Sequence, residues 1–184
     1  MKTDITAVMV SEHRLILRMI TLLERHVALL EQGRLADWNF FEDAVDFIRN
    51  YADRFHHAKE EDVLFAALIK NGMPEKQSPI EAMHIEHDQG RAFVRAMAAA
   101  AEKARAGEGG QVPVIVENAR GYIELLRGHI DKEDKILYPL AERVLPEEVR
   151  NDMLGAYARS EQQTPQLEDR YRRLVEEYEN RTAA

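Results

Sequence analysis

The stretch Phe55-His56-His57-Ala58-Lys59-Glu60-Glu61-Asp62 decides how the chain is read. Around it, apolar residues recur at three- and four-residue spacing, as in Phe47, Tyr51, Phe55 and Leu64. That is the period of a helix. Side chains four apart on a helix share a face, so His57 and Glu61 are expected to point the same way. The segment His129-Ile130-Asp131-Lys132-Glu133 carries the same spacing. A histidine and a carboxylate one turn apart can reach one metal ion or two adjacent ones, and the two oxygens of a glutamate can bridge two cations. Imidazole with carboxylate suits iron, manganese and zinc.

Outward from this stretch, the punctuation outlines long helices. The first is expected from about Thr3 to Gln32, with Gly33 as its C-terminal cap. The second runs from near Asp37 to Asn71, where Gly72 and Pro74 stop it. The third has a cap at Ser78, a proline at its first position in Pro79 and a capping box completed by Glu81. It ends near Ala106, before the Gly107–Gly110 stretch. The fourth spans about Pro113 to Tyr138, where Pro139 is expected to disturb it. One or two helices follow Pro146, with a break at Thr164–Pro165. Short loops between long helices imply antiparallel neighbours. The expected fold is all-α: an up-down-up-down four-helix bundle over residues 1–145. A helical extension over 146–184 packs on it or makes an oligomer contact. No internal repeat is read.

Composition narrows the chemistry. The 184 residues suit one compact domain with an appendage. A net charge of -8 argues against nucleic acid or an anionic membrane as the main partner. No apolar run approaches the roughly 20 residues of a membrane span. Cysteine is absent, which removes disulfides, thiolate zinc sites, cysteine-held clusters and covalent haem attachment. Met1 to Val10 lacks a basic segment followed by an apolar one, so a cytoplasmic location is expected.

Every bundle helix carries histidine: His13, then His56 and His57, then His84 and His87, then His129. With a rise of about 1.5 Å per residue, His13 and His87 stand roughly 12–15 Å from the starts of their helices. Glu61 and the His129–Glu133 pair stand roughly 8–15 Å before the ends of theirs. In an up-down-up-down bundle those heights coincide. Singly, each histidine reads more readily as a solvated residue paired to an acid than as a ligand; together they form one layer. His56 and Glu60 are expected about 100° away, on another helix face. His84 is the candidate for a fifth imidazole, His26 reads as structural, and Arg91 and Arg95 as a solvated face. Tyr138 reads as core, with a hydrogen bond to the centre as the alternative.

These motifs resemble the hemerythrin, or HHE cation-binding, family. Its pattern of His, HxxxE, His and HxxxE reads here as Glu12-His13-Arg14, His57 to Glu61, Glu86-His87-Asp88-Gln89-Gly90-Arg91, and His129 to Glu133. The resemblance covers about Asp4 to Leu145. It implies a four-helix bundle around two iron ions in an oxo- or hydroxo-bridged centre, without haem. Carried over, His13 and His57 would serve one iron, His87 and His129 the other, with Glu61 and Glu133 bridging. Oxygen-carrying members have HxxxH on the third helix and HxxxxD on the fourth. Here His84 and His87 are three apart and Glu133 follows His129 by four, which sets the chain apart from reversible dioxygen carriers.

The expected function is non-haem di-iron binding, with a diatomic or peroxidic ligand such as dioxygen, nitric oxide or peroxide bound or sensed. Binding is expected ahead of catalysis. The alternatives are a di-iron enzyme acting on peroxide, nitric oxide or iron, and a metal-stabilised interaction module that dimerises through the tail. A ferritin-like oxidase would use two ExxH pairs; only Glu81-Ala82-Met83-His84 has that spacing, without a match.

Overall fold

Gly33 and Gly72 adopt left-handed backbone, with φ of +65° and +97°, where the first two helices end. Only glycine does this without steric cost, so the ends follow from the sequence. A computed structural model describes residues 4–34 and 37–183; among them are six helices and no strand. Helix α1 is Ala7–Glu31. The start expected at Thr3 lies outside the described residues. Helix α2 is a continuous rod over 38–70, in which Ile48–His57 and Glu60–Phe65 are π-helical. It opens at Asp37, whose carboxylate accepts the Phe40 N–H at 3.3 Å.

Helix α3 is Pro79–Arg105. Ser78 Oγ accepts the Glu81 N–H at 3.4 Å, and the Glu81 carboxylate accepts from the Gln77 N–H at 2.6 Å, one residue before the usual position of a capping box. Helix α4 covers 112–144 and contains a π-helical segment, Glu133–Leu137. The end expected near Tyr138 is corrected: the helix runs on through Pro139 to Val144. A π turn immediately before the proline widens the backbone where the ring would meet the preceding carbonyls. Helices α5, Glu147–Gln163, and α6, Leu167–Ala183, follow, with a break at Thr164.

The first four helices pack in a closed cycle, α1 on α2, α2 on α3, α3 on α4 and α4 on α1. Their apolar faces form two clusters. One includes Leu15, Met19, Phe40, Phe47, Tyr51, Met97 and Tyr122. The other includes Ile5, Met9, Leu64, Phe65, Met83, Leu137 and Tyr138. Tyr171, Val175 and Tyr178 of α6 belong to the first, and Met153 and Tyr157 of α5 to the second, so both late helices bury apolar surface against the bundle. Each fully buried Leu- or Phe-sized side chain contributes about 1.5–3 kcal/mol. No described helix is long and apolar enough to cross a membrane.

Between the two clusters lies a buried polar layer: Glu12, His13, His56, His57, Lys59, Glu60, His87, His129 and Glu133. His26 is outside it, stacked on Phe40 at 3.5 Å with Nδ1 donating to the Leu22 carbonyl.

Candidate metal centre

Each of five histidines has a carboxylate behind it. Nδ1 of His13 faces Asp134 at 2.8 Å, that of His56 faces Glu12 at 2.8 Å, and that of His87 faces Glu61 at 2.6 Å. His129 is held by Glu86 at 2.9 Å and His57 more loosely by Asp53 at 3.4 Å. A carboxylate at Nδ1 selects the tautomer protonated there and leaves the Nε2 lone pair free to ligate. Cations steady these carboxylates in turn: Lys59 on Glu12, Lys132 on Glu86, and Arg91 on both Asp53 and Glu61.

The inward atoms converge. Nε2 of His13 lies 2.9 Å from Nε2 of His56, and Nε2 of His87 lies 3.0 Å from Nε2 of His129. Glu60 and Glu133 are fully buried among them. Glu60 Oε2 is 3.8 Å from His56 and 3.5 Å from His87. Glu133 reaches His13 at 3.3 Å and His129 at 3.1 Å. Each glutamate therefore stands between a histidine of one pair and a histidine of the other. Two groups with ligand atoms mutually within 4.8 Å result: His13, His56, Glu60 and Glu133, and His57, Glu60, His87 and His129.

This arrangement fits cations. Were Nδ1 alone protonated on every ring, each close Nε2 pair would set lone pair against lone pair; a proton or a cation has to stand between them. Both oxygens of Glu133 and Oε2 of Glu60 are buried without a hydrogen-bond donor. Buried acceptors left in that state cost about 1–3 kcal/mol each, and more when charged. Metal ions satisfy all of them at once.

The electrostatics divide the rings into two groups. Burial, then the charge of His87, pushes His57 down to about 3, and burial takes His56 well below its ordinary value. Both therefore stay in the neutral, ligating form. Burial and the adjacent Glu133 push Glu60 well above the carboxylate range. Burial would raise Glu133 too, but His129 and His13 outweigh it and hold it low. Two carboxylates in one dry layer do not both ionise without positive charge beside them. Against burial, Asp134 and Glu133 raise His13 to about 9, and Glu133 and Glu86 raise His129, so without a metal these two rings favour the protonated form and a cation has to displace that proton.

Of the residues expected from sequence, His13, His57, His87, His129 and Glu133 lie in this layer. Where Glu60 stands inside the layer, Glu61 does not. Its carboxylate stands outside, accepting from His87 Nδ1 and Arg91 and held at about 2, chiefly by the His87 contact. His84 sits out there too, half-buried against the edge of Phe65; with Glu61 and His87 it forms a third, less buried group. His56 and Glu60, expected on another face, are at the centre. The cause is the π-helical backbone of α2, whose wider turn brings successive residues closer in angle than the ~100° of an α-helix. Both members of the His56–His57 doublet then reach the interior. Tyr138 is buried but not merely packed: its hydroxyl donates to Glu60 Oε1 at 2.5 Å. Nor is Arg91 merely solvated, since it ties Asp53 to Glu61.

A sequence signal for the register was present. His56-x-x-Lys59-Glu60-Glu61 matches His129-x-x-Lys132-Glu133-Asp134, and Glu12-His13 matches Glu86-His87. The contacts obey the same correspondence: Glu12 holds His56 as Glu86 holds His129, and Asp134 holds His13 as Glu61 holds His87. A short internal repeat thus exists where none was read.

Fold and layer together define a helical, cation-binding class of protein. The family model described as the Hemerythrin HHE cation binding domain matches residues 4–141, and the chain belongs to that family. No curated protein and no solved structure gives a significant match.

Proposed function

We propose that the chain holds two iron ions in an up-down-up-down four-helix bundle and binds or senses a small ligand such as dioxygen, nitric oxide or peroxide. In this reading His13 and His56 serve one ion, His57, His87 and His129 serve the other, and Glu60 and Glu133 bridge both. The observation that carries it is the placement of each glutamate between histidines of opposite pairs. Family membership implies a cation, and the all-nitrogen-and-oxygen donor set suits iron. Iron so held supplies coordination positions that the four or five protein donors leave for a small ligand.

The chain's own residues do the rest. The Nδ1-bound carboxylates fix the rings and raise their basicity. The two apolar clusters close the layer at either end along the bundle. Tyr138 places a hydroxyl 3.4 Å from His13 Nε2 while donating to Glu60, within reach of the two-histidine half. The test is metal content and an absorption spectrum for protein made in iron-supplied cells. About two irons per chain, with charge-transfer bands that change on adding a diatomic ligand, is the expected result. No metal, or a single zinc, overturns the reading.

A further inference from the structure

The corresponding halves of the layer differ in one consequential respect: the half of His87 and His129 opens into a cavity. Ile16 follows His13 by three residues and is fully packed; Gly90 follows His87 by the same interval. A side chain built at Gly90 would meet Tyr122 at 3.4 Å and Leu125 at 3.7 Å. The space it leaves belongs to a cavity of about 210 Å³ between α2, α3 and α4. Its inner end is lined by His57, His87 and His129. From there it extends along the bundle to Ile48 and Arg49, to Val94 and Arg95, and to Tyr122. Those residues lie seven to nine positions from the histidines, so the cavity is roughly 10–13 Å long.

The lining has two characters. Gly90, Val94, Leu125, Leu126 and Ile48 make an apolar wall. Arg49, Arg54 and Arg95 are exposed along its edge. Among the described residues, no acid pairs with Arg49 or Arg95, whereas the acids in the lining are already committed: Asp53 to Arg91 and His57, and Glu86 to Lys132 and His129. Tyr122 adds an independent sign of a ligand. It is 2% exposed, lines the cavity, and its hydroxyl has no hydrogen-bond partner. A diatomic molecule requires neither this volume nor this charge. A dry cavity of about 150 Å³ already holds benzene.

We propose that this cavity binds a small organic monoanion, with an apolar body of about benzene size between Val94, Leu126 and Tyr122 and a carboxylate facing Arg49 and Arg95. The body then points toward His57, His87 and His129. That the occupant meets the metal chemistry rests on the function proposed above; that it binds rests on the cavity alone.

Benzoate, with benzyl alcohol as the uncharged counterpart, tests this by titration calorimetry on the full chain, with and without iron. Benzoate is expected to bind saturably in both forms. The Arg49→Ala/Arg95→Ala variant is expected to lose about tenfold in benzoate affinity and little for benzyl alcohol. Gly90→Ile is expected to abolish both. Both arginines are exposed, so their replacement leaves the fold intact to be tested even if Gly90→Ile does not fold. No benzoate binding to the parent protein, or equal binding by parent and double-arginine variant, overturns the proposal. Iron content measured on the same samples decides the metal reading separately.

Discussion

Helices α1 and α2 build one half of the polar layer, and α3 and α4 build the other, from matched parts. Glu12, His13, His56 and Lys59 correspond to Glu86, His87, His129 and Lys132, and the two close ring contacts agree to 0.1 Å, at 2.9 and 3.0 Å. The halves diverge at positions around this shared frame. His57 corresponds to Ile130, Phe65 to Tyr138, and Ile16 to Gly90. One half thus receives a third imidazole and a cavity, and the other a tyrosine hydroxyl and a packed wall. The common frame consists of the groups any pair of cations there would need. The divergent positions are those that make the two halves inequivalent.

The largest test of that comparison concerns what the halves share. Glu60→Ala is expected to strip iron from both halves, exceeding the 10–100-fold loss in affinity, about 2 kcal/mol, that removal of an outer partner causes. Glu61→Ala should stay within that range, because it only holds His87 from behind. Iron analysis after dialysis separates the two; equal losses would break the one-residue register. Next comes the histidine doublet. His56→Ala is expected to leave about one iron per chain, while His57→Ala keeps about two with weaker binding, because His87 and His129 still supply its half. Loss of a whole ion from His57→Ala would reverse their ranking.

Glu12→Gln and Glu86→Gln probe the matched supports. Each is expected to weaken iron about 10–100-fold, and by similar factors, in a chelator competition. Unequal effects would show that the correspondence is geometric but not energetic. A smaller effect is expected for Tyr138→Phe, which leaves Glu60 Oε1 without its donor and lowers the stability of the metal-free protein by about 1–3 kcal/mol in a denaturant titration. Last, His26→Ala is expected to leave iron content unchanged, since its ring packs on Phe40 away from the layer.

Much of this was legible in the residues. Asp37, Ser78 and Pro79 mark helix starts and Gly33 and Gly72 mark helix ends in the structure as they do in the sequence. The coincidence of His13, His87, His129 and Glu133 in height followed from counting residues along helices. Spacing alone did not choose between His57–Glu61 and His56–Glu60, because both pairs have the same spacing and α-helical geometry lets only one face inward; the match of His56-x-x-Lys59-Glu60 to His129-x-x-Lys132-Glu133 is the signal that favours the second. The π-helical segments of α2 remove that restriction. Pro139 was misread for a related reason: the π turn before it is a feature of α4 in place.

The sequence by itself determined an all-helical chain and a supply of imidazole and carboxylate groups at one height, with no thiolate to compete. Periodicity and capping are local properties, and a helix converts residue number directly into height. Only the tertiary structure decided which neighbouring residue faces inward, that Asp53, Glu61, Glu86 and Asp134 stand behind rings on the same or other helices, and that the absence of a side chain at Gly90 leaves a cavity. Those outcomes depend on helix rotation and on the side chains that four helices bring together, and no single segment contains that information.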